Sequence, residues 1–160
     1  MSADGRPVLR LLEHPETRGQ FRSDARACHP SQYRRRTALY VGGDPDKRGL
    51  STGTGSSREM GRFLVARGGF AGLRLAIDRR PRLVVLEGTL PDVDSASLVV
   101  ALRHRAMAPS APIVVLAHDD SARERARFIW SGASAYMTEP FDSAHFDRTV
   151  GMLLEVSTWR

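Results

Sequence analysis

Residues 83–92 read LVVLEGTLPD, four apolar residues running into a single acid, Glu87, and then into a turn at Pro91. A carboxylate at the end of an apolar run can ligate a cation, act as a nucleophile, or simply mark the solvated rim of the fold. Two more acids stand in similar places, Asp44 after ALYVGG and Glu139 after AYMT. If the chain gathers Asp44, Glu87 and Glu139, they form a small metal site; if not, they are three solvated carboxylates on a loop rim. Like charges held close raise a pKa or push the pair apart unless a cation intervenes. Arg48 and Arg58, from a nearby Gly-rich segment, are the candidate cations.

The elements that would position these groups are legible as short apolar runs. ALYV (38–41), FLVA (63–66), LVVL (83–86), IVVL (113–116) and AYM (135–137) are rich in Val and Leu and lack alternation. Strands buried on both faces have this pattern, as in a parallel sheet. Helix-like stretches lie between them. Residues 70–79 place Leu73 and Ile77 on one face. Asp94 is an N-cap candidate for 95–105, where Leu98, Ala101, Leu102 and Arg105 recur at helical spacing. Residues 121–131 end at Gly132, and Asp142 can cap a last helix whose Phe146, Val150, Leu153 and Leu154 share a face. Alternating strands and helices predict an α/β fold with a doubly wound parallel sheet. One slot is degenerate: DKRGLSTGTGSSREMG, between the first two strands, holds Gly49, Gly53 and Gly55, each costing about 1 kcal/mol against Ala in a helix. In an open parallel sheet, ligands bind beyond the carboxyl ends of the strands. Gly42, Gly43, Asp44, Glu87, Ala117 and Glu139 should meet there.

A chain of 160 residues with 41% hydrophobic and 26% charged residues suits one globular domain. The sequence has no run of about 20 apolar residues, the length of a membrane span, and its first residues lack the apolar core of a signal peptide, so the expected location is cytoplasmic. The lone Cys28 cannot form an internal disulfide, and with His29 it falls short of a metal-ligand set. Residues 1–36 hold eight arginines against four acids and so carry +4 of the net +6; they read as a basic N-terminal extension, partly disordered. The domain proper is expected over 37–156, with 157–160 as a tail.

Several segments in order resemble the receiver domain of bacterial two-component response regulators. PRLVVLEGTLPDVDSASLVVALR is similar to the family's third strand, active-site loop and third helix, APIVVLAHDD to its fourth strand, and SGASAYMTEPF to the Gly-Ala, switch-aromatic and Lys-Pro region near its end. The resemblance covers about three quarters of the chain, and the intervals of 44, 30 and 22 residues between Gly43, Glu87, Ala117 and Glu139 match chemotaxis-type receivers. It implies a flavodoxin-like five-stranded sheet in the order 2-1-3-4-5. It also implies a pocket in which two acids and an Asp hold Mg²⁺, a Ser or Thr bonds the phosphoryl group, and a Lys pairs with it. Five positions depart from that set. The acid pair is Gly42 and Gly43, the acceptor is Glu87, the hydroxyl residue is Ala117, and the lysine is Glu139; Asp44 remains.

The resemblance therefore implies a phosphorylation-independent pseudo-receiver, not an enzyme, with no cofactor, acting through protein contact. Receivers signal through the fourth helix, fifth strand and fifth helix. Tyr136 takes the switch-aromatic place there, and Trp130, with Arg123 and Arg127, has the composition of an interface hot spot for a protein partner or a homodimer, unless Trp130 folds back over the domain edge. An alternative is a module binding a nucleotide or cyclic dinucleotide through Arg34, Arg35, Arg36, Arg48 and Arg58. The Gly-rich stretch is not a phosphate loop of the Walker type, because no lysine follows Gly55. A phosphorylatable regulator is the enzyme-class alternative. Base-specific DNA recognition has no evident element, although Arg34–Arg36 suit phosphate contacts.

Overall fold

A computed structural model describes residues 38–45, 50, 63–106 and 111–158. The basic extension, most of the Gly-rich slot with the expected degenerate helix, and Arg34, Arg35, Arg36, Arg48 and Arg58 lie outside the described residues. Five strands, β1 (Ala38–Val41), β2 (Leu64–Ala66), β3 (Leu83–Glu87), β4 (Ile113–Ala117) and β5 (Ala135–Thr138), alternate with four helices, α1 (Gly69–Arg79), α2 (Ser95–Arg105), α3 (Ala122–Ser131) and α4 (Ser143–Thr158). All neighbouring strands pair in parallel, in the order β2-β1-β3-β4-β5. The doubly wound sheet and its strand order are as the sequence implied. The four helices stand where receivers have their second to fifth.

Alternate strand residues serve two cores, which is why the runs show no polar alternation. Leu39, Val41, Val84, Leu86, Ile113 and Val115 face one core, together with residues of α1 and α2 and Phe128 of α3. Ala38, Tyr40, Leu83, Val85, Val114 and Leu116 face the other, with Leu50, Phe63, and Phe146 and Val150 of α4. The central strands β1, β3 and β4 are fully or nearly fully enclosed, as covering a parallel sheet on both sides requires.

Two helix faces differ from the sequence expectation. In α1 the buried residues are Gly69, Gly72, Leu75 and Ala76, whereas Ile77 is 44% exposed. The helix lies so close to β1 that a Cβ on Gly72 would stand 2.7 Å from a Val41 methyl, and this approach selects the small-residue stripe over the larger one. In α2 the buried set is Ser95, Ala96, Leu98, Val99 and Leu102; Ala101 is half-buried and Arg105 exposed.

Helix starts are satisfied by side chains. Asp94 accepts from Ser97 N at 2.9 Å and Ser121 from Glu124 N at 3.3 Å. Helix α1 has only Gly68 at its cap position, so its first amides are met from a distance: Gly69 N and Phe70 N donate to the two Asp92 oxygens at 2.8 and 3.1 Å. The loop after β3 is thereby tied to the helix after β2.

Helix α1 ends at Arg80, which holds the left-handed conformation (φ 47°, ψ 62°) that favours glycine. An L side chain there costs on the order of 1 kcal/mol. Arg80→Gly is therefore expected to raise the unfolding free energy by about 0.5–1 kcal/mol in urea titration, once the looser unfolded chain is allowed for.

Candidate functional site

The carboxyl ends of β1 and β3 meet at the site. The parallel register sets Val41 beside Leu86, so the next positions, Gly42 and Glu87, are neighbours on the same face of the sheet as Tyr40. Glu87 turns back over β1. Its Oε1 accepts from Tyr40 Oη at 2.7 Å and from Gly43 N at 3.0 Å. Gly42 makes this possible. A Cβ there would lie 2.3 Å from Glu87 Cδ and 2.7 Å from Oε1, and its φ of 153° is one that L side chains rarely adopt. Tyr40 itself is fully enclosed, edge-on to Phe63 with ring centroids 6.1 Å apart. The long acid, the missing Cβ and the buried phenol form one unit.

Glu139 takes another path. It is 15% exposed and pairs with His118, Oε2 to Nδ1 at 3.1 Å, and its own N–H donates to Ala117 O at 2.8 Å. Glu87 and Glu139 thus have different partners among the described residues, Tyr40 and Gly43 for the one and His118 for the other; the candidate cations Arg48 and Arg58 lie outside the described residues. Among the described residues no group of three or more His, Cys, Asp or Glu is placed to hold a metal, so the trio of Asp44, Glu87 and Glu139 is not gathered as a cluster. Ala117 is buried and packs against Gly88, where a Cβ would meet it at 2.8 Å.

The signalling face departs from expectation at Tyr136. Rather than standing at the surface with Trp130, this residue is 6% exposed and packs on Phe128 at 5.6 Å. Arg125 lies over its ring at 5.2 Å, and its hydroxyl donates to the Asp119 carbonyl. Burial, reinforced by the Asp119 and Glu124 carboxylates, raises the pKa of the phenol. The inward ring fills core volume, so Tyr136 cannot itself touch a partner. Trp130 does not fold back: it is 89% exposed, one turn from Arg127 and two from Arg123 on the outer face of α3. Arg127 is engaged within the domain, paired with Asp94 and with Glu124 at 3.3 Å.

Sequence reading missed four residues of this framework. Tyr40 was detectable as the one polar-tipped residue in ALYV, two positions before Gly42 and in phase with Glu87. His118 and Asp92 gave no local signal, since their partners lie 21 and 22–23 residues away. Arg103 carries no signal in the sequence; it is half-buried and donates to Gly132 O at 2.8 Å, to Ser134 Oγ at 2.9 Å and to the Ala111 carbonyl, tying α2 to the turn before β5. Desolvation lowers its pKa.

Tyr40→Phe is expected to cost about 1 kcal/mol of stability through the lost hydrogen bond. Gly42→Ala should cost on the order of 2 kcal/mol or more, and combining it with Glu87→Ala should be less than additive, read by a double-mutant cycle in urea. The Asp94 carboxyl is held below its ordinary pKa, first by the Ser97 hydroxyl, then by Ser97 N–H and Arg127. A lowered folded value means its contribution is present above the ordinary carboxylate range and is lost as pH falls through the folded value. Asp94→Ala should therefore cost about 1 kcal/mol at neutral pH, with the difference from the parent shrinking below about pH 4.

No family model matches the chain. Among known proteins it is similar to the transcriptional regulatory protein PrrA of Mycobacterium tuberculosis, at 36% identity over 86 residues covering 54% of this chain and 36% of that protein. It is 32% identical over 90 residues to the phosphate regulon transcriptional regulatory protein PhoB of Rhizobium meliloti, covering 56% of this chain and 39% of the relative. The chain thus spans little more than a third of the length of these relatives. Among solved structures, the signal receiver domain of an HD domain-containing protein from Pseudomonas fluorescens superposes with a TM-score of 0.66 at 22% identity, over 79% of this chain and 100% of that one. A CheY-like response regulator receiver domain protein from Methanospirillum hungatei gives 0.65 at 18%, over 78% and 97%. Among the described residues no helix is long and apolar enough to cross a membrane. The described residues thus have the sheet order and helix positions of the receiver fold, and the chain is similar in sequence to response regulators.

Proposed function

We propose that this receiver works without phosphorylation, as a cytoplasmic protein-interaction module in bacterial two-component signalling. One observation carries the reading: the Glu87 carboxylate is folded onto Gly43 N–H and Tyr40 Oη, in the space that the missing Cβ of Gly42 leaves. An acceptor carboxylate must present an oxygen to an incoming phosphoryl group beside a cation that neutralises it. Here one oxygen already accepts two hydrogen bonds from the protein, and glycines stand where receivers carry their acid pair. Ala117 offers no hydroxyl, and Glu139 places a negative charge where a lysine would meet the phosphoryl group.

The inward Tyr136 supports the same reading. Its ring position follows from packing on Phe128, from Arg125 and from the Asp119 carbonyl, all constant features of the chain. A switch aromatic held by such contacts needs no phosphoryl group to place it. With no phosphotransfer of its own, the domain is not an enzyme, and its output is contact with another protein.

Incubation with Mg²⁺ and acetyl phosphate, followed by intact mass measurement, is expected to leave the mass unchanged. A species heavier by one phosphoryl group, absent from Glu87→Gln, would overturn the reading.

A further inference from the structure

The charges of the described residues are divided between the two ends of the sheet. All five strands run parallel, so each crossover helix returns the chain to the amino ends, and the loops after strands lie opposite the loops after helices. The loops after β1, β3, β4 and β5 carry acids: Asp44, Asp92 and Asp94, Asp119 and Asp120, and Asp142. The segments that close α1 and α2 carry cations instead. Arg79, Arg80 and Arg82 lead from α1 into β3, and His104 and Arg105 end α2. Helices α1 and α2 pack against each other, so these two basic ends are neighbours. The described acids at this end are Asp78 and Glu155, near the ends of α1 and α4. Ala38 is the Cα partner of Leu83, so the start of β1 lies beside the start of β3. Arg36 stands two residues before Ala38, and two residues of chain reach at most about 7 Å. The arginines at 34–36 therefore join the domain at this same end. Arg80 adds an independent observation. It is exposed and holds the left-handed conformation, φ 47°, where glycine would be more stable. Strained backbone of this kind is concentrated at binding sites, and the side chain it presents here is a guanidinium.

We propose that this amino-end rim binds the phosphodiester backbone of a nucleic acid, without reading its bases, through Arg80, Arg105 and Arg79, joined by the arginines at 34–36. The surface lies at the far end of the strands from Glu87 and does not depend on whether that pocket takes a phosphoryl group. A guanidinium fork matches two phosphate oxygens at once. Adjacent strands stand about 4.8 Å apart and packed helices about 8–10 Å, so cations arriving from β1, β3 and α2 form a row along the edge of the fold. A duplex offers such a row one negative charge per about 1.7 Å of its axis. The division of charge also orients the encounter, because a polyanion is drawn to the basic end and repelled from the acidic one. Lipid and protein are less well matched. The exposed residues of the rim segments, 78–80 and 104–105, are all polar. A lipid surface is held by an apolar face as well as by charge, and a protein interface by an apolar centre, and these segments supply neither.

The test titrates the full chain against a fluorescently labelled, mixed-sequence DNA duplex by anisotropy, over a range of salt concentrations. Binding is expected to be the same for unrelated sequences and to weaken with salt, log K falling against log salt with a slope of about −0.9 for each phosphate contacted. Arg80→Gly should weaken binding about threefold or more and make that slope shallower by about 1. The same variant is expected to be more stable in urea, so its loss of binding is not a loss of folding. Arg105→Glu should weaken binding further, and the two together by about tenfold or more, whereas Arg123→Glu at the acidic end should leave it unchanged. Poly-glutamate and phosphatidylglycerol vesicles, matched in charge concentration, should compete less well than unlabelled duplex. No binding at low salt, or an equal loss with Arg123→Glu, would overturn the proposal. So would competition by poly-glutamate or vesicles as strong as that of duplex. An affinity indifferent to Arg80→Gly and Arg105→Glu would overturn it as well, including the case in which only alanines at 34–36 abolish binding.

Discussion

The upper edge of this domain depends on one carboxylate finding its charge partners inside the chain. Glu87 is one methylene longer than the aspartate that receivers carry, and that length must go somewhere. It goes back across β1, over a residue without a Cβ, to a main-chain N–H and a buried phenol. Hydrogen bonds to an ionised acceptor are worth more than neutral ones, about 1.5–3 kcal/mol against about 1. The departure at Glu87 and the departure at Gly42 are therefore one event physically. An acid at position 42 would collide with the Glu87 side chain and repel its charge; a glycine there gives the longer acid its seat.

The remaining pocket positions follow the same logic of local compensation. Glu139 would be a buried like charge beside Glu87 if it pointed inward. It finds His118 instead, so the loop after β4 and the loop after β5 are joined by a side-chain contact at 3.1 Å. Because His118 is 76% exposed, water screens that pair, and its contribution to stability is small, of order 0–1 kcal/mol. The backbone bond from Glu139 N to Ala117 O is the firmer link between these two loops. Tyr136 ties the same region to the start of α3 through the Asp119 carbonyl.

Polar side chains at the ends of helices α1, α2 and α3 add to the apolar core that the three share. Asp92 caps α1 from the loop before α2, Asp94 caps α2 and holds Arg127 of α3, and Arg103 of α2 holds the turn after α3. Helix α3 buries only Phe128, so packing alone fixes it weakly and these end contacts set its position. A helix that buries so little has most of its surface left for a partner, and Trp130 stands on that surface.

The sheet and its order were legible because burial on both faces imposes runs such as LVVL and IVVL that few other structures tolerate. The departures at Gly42, Gly43, Glu87, Ala117 and Glu139 were legible too, since each occupies a fixed interval from the next in the chain. What the linear order could not convey was where the charges turn. That Glu87 seeks Tyr40, that Glu139 leaves toward His118, that Tyr136 lies inward while Trp130 stands out, and that α1 buries Gly72 and Leu75 rather than Ile77 all depend on distances between residues far apart in sequence. Sequence pattern determines which residues are apolar enough to be enclosed. Only the packed fold decides which polar atoms come within hydrogen-bonding reach once water has been removed.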